Sequence, residues 1–169
     1  MATQRVNLAM TAFVLLALIL VPTRVLAQPP IGRQVADVAS YVTAAVPIAL
    51  DAKASWECAD RARCFELQGV RLGVAYGIAF LAKTFIHEDR PCAPDCGVDR
   101  ADASFFSAHT MLPFTAMGGP RVAIVVPFGV STGGLRVAAG KHWWWDTVVG
   151  AAVGLVTSRI RAGRESREP

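Results

Sequence analysis

Three short clusters in this 169-residue sequence carry side chains suited to handling a tetrahedral anion. Lys83 is followed after six residues by Arg90-Pro91; Ser107-Ala108-His109 comes next; Arg136 is then followed after five residues by His142 and after three more by Asp146. They offer three fixed cations, a hydroxyl, two imidazoles and a carboxylate. A transferring phosphoryl group spreads negative charge over three equatorial oxygens, so a site for it is mostly preorganised positive charge and in-line geometry. Lys83, Arg90 and Arg136 answer that demand, the arginines as forks that bind oxygens in pairs and the lysine as a point charge. Ser107, with Ala108 beside it, opens a helix whose first N–H groups add donors. His142 and Asp146, four apart, share one face of a helix, where a carboxylate on one ring nitrogen leaves the other as an oriented nucleophile. His109 suits the general acid that protonates a leaving oxygen. No group of acidic and histidine residues has the spacing of a metal site, so side-chain cations stand in for magnesium, and neither metal nor cofactor is expected.

Taken singly, each piece has an ordinary meaning. Arg-Pro ends helices, Lys83 fits a solvated helix end, and His142 with Asp146 fits a plain helical pair. Joint occurrence in register is what points to chemistry.

The elements that must position these residues read as an all-α, compact bundle of about five helices. Val35, Val38, Val42, Ala45 and Ala49 recur at helical spacing, with Pro47 expected to kink the segment. A polar stretch, 51–66, precedes an apolar segment, 67–85, in which Gly69, Gly73 and Gly77 form a stripe expected to admit a close neighbouring helix. The stretch 87–103 reads as a loop broken by Pro91, Pro94 and Gly97, with His87, Glu88 and Asp89 as solvated charge. Residues 104–117 and 122–130 form a helical hairpin around Gly118-Gly119-Pro120, the second run ending before Gly133-Gly134; β-branching in that run also fits a strand. The last helix runs from about Trp143 to Ile160, with Gly150, Gly154 and Ser158 as a second small stripe. Trp143, Trp144 and Trp145 fit a substrate entrance or a membrane interface, with at least one packed in the core.

The three clusters, in this order and at this internal spacing, resemble the signature of the type 2 phosphatidic acid phosphatase family, whose site is shared with bacterial non-specific acid phosphatases and vanadium haloperoxidases. The match covers roughly residues 67–160. The resemblance implies a metal-independent phosphatase acting through a phosphohistidine on His142. It gives His109 the acid role and Asp146 the orienting one, and leaves phosphate binding to Lys83, Arg90, Ser107, Ala108 and Arg136. It further implies a phosphate monoester or diphosphate substrate, with a lipid phosphate of the cell envelope foremost. Phe106, Ala108 and Leu135 stand where the family pattern has proline, glycine and serine. Two other readings follow: a haloperoxidase that would need vanadate, and a catalytically inactive envelope protein keeping the fold.

Composition sets the compartment. Apolar residues make up 53% and charged residues 18% of the chain, which excludes disorder; a net charge of +4 is too small to argue for nucleic acid. Arg5, the apolar run 8–21 and Val25-Leu26-Ala27 read as a signal peptide over residues 1–27, followed by a single domain over 28–169. Export places Cys58, Cys64, Cys92 and Cys96 where disulfides persist; sequence-local pairs are the natural expectation among three connectivities. With the clusters facing outward, Arg61, Arg63, Arg121, Arg159, Arg161 and Arg164 fall at the opposite helix ends, the positive-inside pattern. Short hairpin helices argue the other way. The reading is an exported protein, site facing the periplasm, with membrane association favoured over a soluble state and a homodimer left open.

Overall fold

The computed structural model describes residues 30–93, 102–117 and 122–161; the expected signal peptide, Cys96, Arg121 and Arg164 lie outside the described residues. The architecture is all-α, with five helices: α1 (Pro30–Glu57), α2 (Arg61–Phe85), α3 (Ala108–Thr115), α4 (Val122–Ala138) and α5 (Trp144–Thr157). The 122–138 run is helical, so the strand alternative falls.

Local chemistry sets the ends. The Asp60 carboxylate accepts from the Arg63 N–H at 3.1 Å and starts α2. Ser107 does the same for α3, its hydroxyl accepting from Thr110 N at 3.3 Å. At the close of α4, Gly140 adopts φ +69°, its N–H bonding Val137 O at 3.0 Å while Lys141 N bonds Arg136 O at 3.1 Å. This is a Schellman ending, and glycine takes its left-handed position without Cβ strain. It stops the helix and turns the chain straight into His142.

The polar stretch 51–66 is helical except for a short break at 58–60, where the Cys58–Cys64 disulfide closes the α1–α2 corner. Cys92 is also disulfide-bonded. Helix α3 starts at Ala108 rather than 104, because Ala103 bridges Glu88 beyond the exit of α2, Ser104 N bonds Glu88 O at 2.9 Å, and the chain bends at 105–106 before the helix begins. Helix α4 continues through Gly133-Gly134. Burial of Thr132, which bonds Thr43 on α1 at 2.9 Å, overrides the weak helix propensity there.

Two buried clusters hold the bundle: Phe114, Val126, Ala151 and Leu155 between α3, α4 and α5, and Ala75, Ala79, Phe106 and Met111 between α2 and α3. Helix α5 lies on α3 because Gly150 faces the Ser107 carbonyl and Gly154 faces Met111 O, with Phe114 Cβ 2.7 Å from where a Cβ would stand. The stripe in α2 does nothing of the kind: Gly69, Gly73 and Gly77 have no atom within 4 Å of an added Cβ. A related reversal occurs on α1. Its face toward the bundle is small, Ala36, Ser40, Ala44 and Pro47, whereas Val35, Val38, Val42, Ala45 and Ala49 point outward.

Candidate active site

Residues from all three clusters meet at one end of the bundle, knitted by a chain of hydrogen bonds through residues 103–107. Lys83 Nζ donates to Ala103 O at 2.9 Å, and Arg90 Nη2 donates to the same oxygen at 3.3 Å. Arg90 Nη1 reaches Lys141 O at 3.3 Å, beside His142. One residue past Ala103, the Ser104 carbonyl lies 2.8 Å from His142 Nδ1. A carbonyl only accepts, so Nδ1 carries the proton and Nε2 is left with its lone pair outward from that bond.

His142 sits in the bend before α5 rather than on the helix, which changes how it is held. Its Nδ1 is 3.5 Å from Asp146 Oδ2, longer than its bond to Ser104 O. Ser104 is thus the direct orienting partner and Asp146 the electrostatic one. That Asp146 oxygen accepts from Ser104 Oγ and from Trp143 N, the latter at 2.9 Å, so one buried carboxylate caps α5 and fixes the segment that fixes His142. The Asp146 carbonyl accepts from Ser107 N at 3.1 Å, joining the starts of α5 and α3.

His142 is 2% exposed. Burial, then the positive charges of Arg136, Arg90 and Lys83, hold its imidazole well below the ordinary histidine range, opposed only by the bond to Ser104. The three cations therefore act on this ring together. At neutral pH it is an uncharged, oriented base inside a positive cage.

The other expected residues lie on α3, on α4 and in the segment leading into α3, with His109 facing Tyr41 of α1. Ser107 is fully buried, its hydroxyl engaged with Thr110. Ala108 is the first residue of α3, and no described non-glycine residue has positive φ, so the backbone conformation that would demand glycine is not used there. Phe106 is buried in the α2–α3 core and Leu135 is half-buried on α4. His109, half-buried in the first turn of α3, meets the ring of Tyr41 edge-on at 4.6 Å, and the guanidinium of Arg136 lies 5.8 Å from the same ring. Arg136 is 2% exposed, pairs through Nη1 with Asp37 of α1, and its buried Nε has no hydrogen-bond partner among the described residues.

Four participants escaped sequence reasoning: Ser104, Asp37, Tyr41 and Glu88. Glu88, read as solvated charge, accepts from Trp145 Nε1 at 2.9 Å; burial and the charge of Asp146 raise its carboxyl above the usual range. Trp143 and Trp145 stack at 5.2 Å and Trp143 Nε1 bonds Asp89 O at 2.8 Å, so the tryptophans clamp the 88–89 segment over Asp146. Among the described residues, no group of three or more acidic, cysteine or histidine side chains is placed to hold a metal ion. No protein-family model matches the chain, and no curated protein or solved structure matches it.

Proposed function

We propose that this chain is a phosphoric ester hydrolase of the type 2 phosphatidic acid phosphatase kind, with His142 as covalent nucleophile. The observation that carries the reading is the hold on His142: Nδ1 is fixed by Ser104 O, and three cations bias the ring to its neutral form. In the first step Nε2 attacks phosphorus, the ester P–O bond breaks, and protonated His109 gives its proton to the departing oxygen. In the second, water attacks phosphorus and gives a proton to His109. The P–N bond breaks, releasing phosphate and neutral His142. Lys83, Arg90 and Arg136 offset the charge that develops on the equatorial oxygens, the task a metal ion performs elsewhere.

The leaving group is read by what surrounds the acid. His109 borders an open cavity of about 590 Å³ whose other walls include Tyr41, Ala44, Ile48, Leu72, Tyr76 and Leu112. An apolar groove ending at the general acid supports a leaving group with an alkyl chain, hence a lipid phosphate or diphosphate. Helices α1 and α2 are long and apolar enough to cross a membrane, and their outward faces carry Ile31, Val35, Val38 and Val42, and Val70, Val74, Phe80 and Phe85. The Cys58–Cys64 disulfide supports an oxidising compartment. The reading is therefore an exported, membrane-associated enzyme of the cell envelope whose site faces the periplasm.

The test is hydrolysis of a chromogenic phosphate ester by the mature chain, with and without chelator. Activity is expected to survive the chelator and to fall by at least about 10³-fold in His142→Ala. Equal activity in wild type and mutant would end this assignment; halide oxidation dependent on added vanadate would move it to the haloperoxidase chemistry.

A further inference from the structure

Helix α1 lies outside the three clusters, yet it reaches into them. Asp37 and Tyr41 are four residues apart and so share one face of α1. The Asp37 carboxylate pairs with Arg136 Nη1 through one oxygen and stands 3.9 Å from Lys141 Nζ through the other. The Tyr41 ring lies 5.8 Å from the Arg136 guanidinium carbon and meets the His109 ring edge-on at 4.6 Å. With Nη1 committed to Asp37, the edge of Arg136 left for an anion is the Nε–Nη2 fork, and Nε is the buried nitrogen without a partner among the described residues. A guanidinium fork bonds two oxygens at once only if its plane is fixed.

From this geometry we infer that Asp37 is a positioning residue of the phosphate site: it fixes the plane of Arg136 so that the Nε–Nη2 edge faces the anion, with Tyr41 bracing Arg136 against His109. The inference rests on the phosphatase reading and adds α1 to the machinery. Two roles for Asp37 predict opposite signs. If it only neutralised the cage, removing its charge would strengthen anion binding. If it aligns Arg136, removing it weakens anion binding although the cage becomes more positive.

The experiment uses the full mature chain with Asp37→Asn, chosen because it is isosteric. Inorganic phosphate binding is read by calorimetry and vanadate inhibition by the ester assay. Asp37→Asn is expected to weaken both about tenfold and to lower kcat/KM by a similar factor. Asp37→Glu should recover part of the loss. In an Arg136→Ala background, Asp37→Asn should add nothing further. Tighter phosphate binding in Asp37→Asn, or a loss that persists undiminished in the Arg136→Ala background, overturns the inference. A wild type that binds phosphate but hydrolyses no ester overturns the enzymatic reading and leaves the binding comparison to judge Asp37.

Discussion

His142 shows how a single side chain can be prepared for its role by its surroundings. Nδ1 is tied to Ser104 O, Asp146 stands behind at 3.5 Å, and Arg136, Arg90 and Lys83 disfavour a proton on the ring. This has a consequence for stability that needs no substrate. The unfolded chain takes up a proton at His142 as pH falls through about 6.5, whereas the folded chain, with its depressed pKa, does not. Stability contributed by the neutral ring is thus intact above about 6.5 and is lost as pH drops toward the folded value, at a rate approaching 1.4 kcal/mol per pH unit. Urea unfolding of wild type and His142→Ala between pH 7 and 5 should show a steeper loss in wild type; parallel losses would contradict the described burial and charge. The clusters themselves were readable because their members are close in sequence and carry chemistry by type. Ser104 and Asp37 were not: one acts through a backbone carbonyl 38 residues from His142, the other through an ion pair 99 residues from Arg136, and neither leaves a local signal.

At the scale of elements, the site depends on how helices end. Ser107 was legible as a helix opening from type alone, whereas Asp60 lay within the stretch read only as polar, and the Gly150–Gly154 stripe marked the contact of α5 with α3. The equally regular stripe in α2 misled, because spacing tells that small residues share a face and not whether a partner lies there. The valine stripe of α1 was helical as read, yet it faces outward, since Ala36, Ser40 and Ala44 allow the closer packing against the bundle. Gly140 ends α4 and sets the course of the segment that carries His142. Its φ of +69° is strained for any residue with a Cβ, while an added Cβ would meet only ordinary contact, Cys92 Cβ lying 3.8 Å away. Gly140→Ala should therefore cost about 1–2 kcal/mol through backbone strain alone. It should also lower kcat about tenfold or more by displacing Lys141 and His142. Thermal unfolding and turnover measured together will show whether both fall; a stable variant with full turnover would mean the ending of α4 does not set the nucleophile.

The whole molecule has two unlike poles. One gathers Lys83, Arg90, Arg136 and His142; the other has Arg61 and Arg63 at the start of α2, with the Cys58–Cys64 bridge, close to Ile160 and Arg161 after α5. Arg71 bonding Ile160 O at 3.0 Å fastens that second pole. A persisting disulfide belongs to an oxidising compartment, so the basic pole and the catalytic pole share one side of the membrane in the proposed arrangement. In that proposed arrangement the outward apolar faces of α1 and α2 are the surfaces that would meet the membrane. The overall helical class was legible because hydrophobic periodicity and breakers survive any tertiary arrangement, whereas the direction each apolar face takes is settled only by packing. The proposed chemistry requires the assembled molecule to carry a phosphoryl group on one nitrogen between two half-reactions. Rapid mixing with a phosphate ester, quenching in base where phosphohistidine survives, and mapping of the phosphorylated peptide test this directly. An acid-labile phosphoryl group is expected on His142 and is absent from His142→Ala. A phosphoryl group on any other residue, or turnover with none on His142, would contradict it.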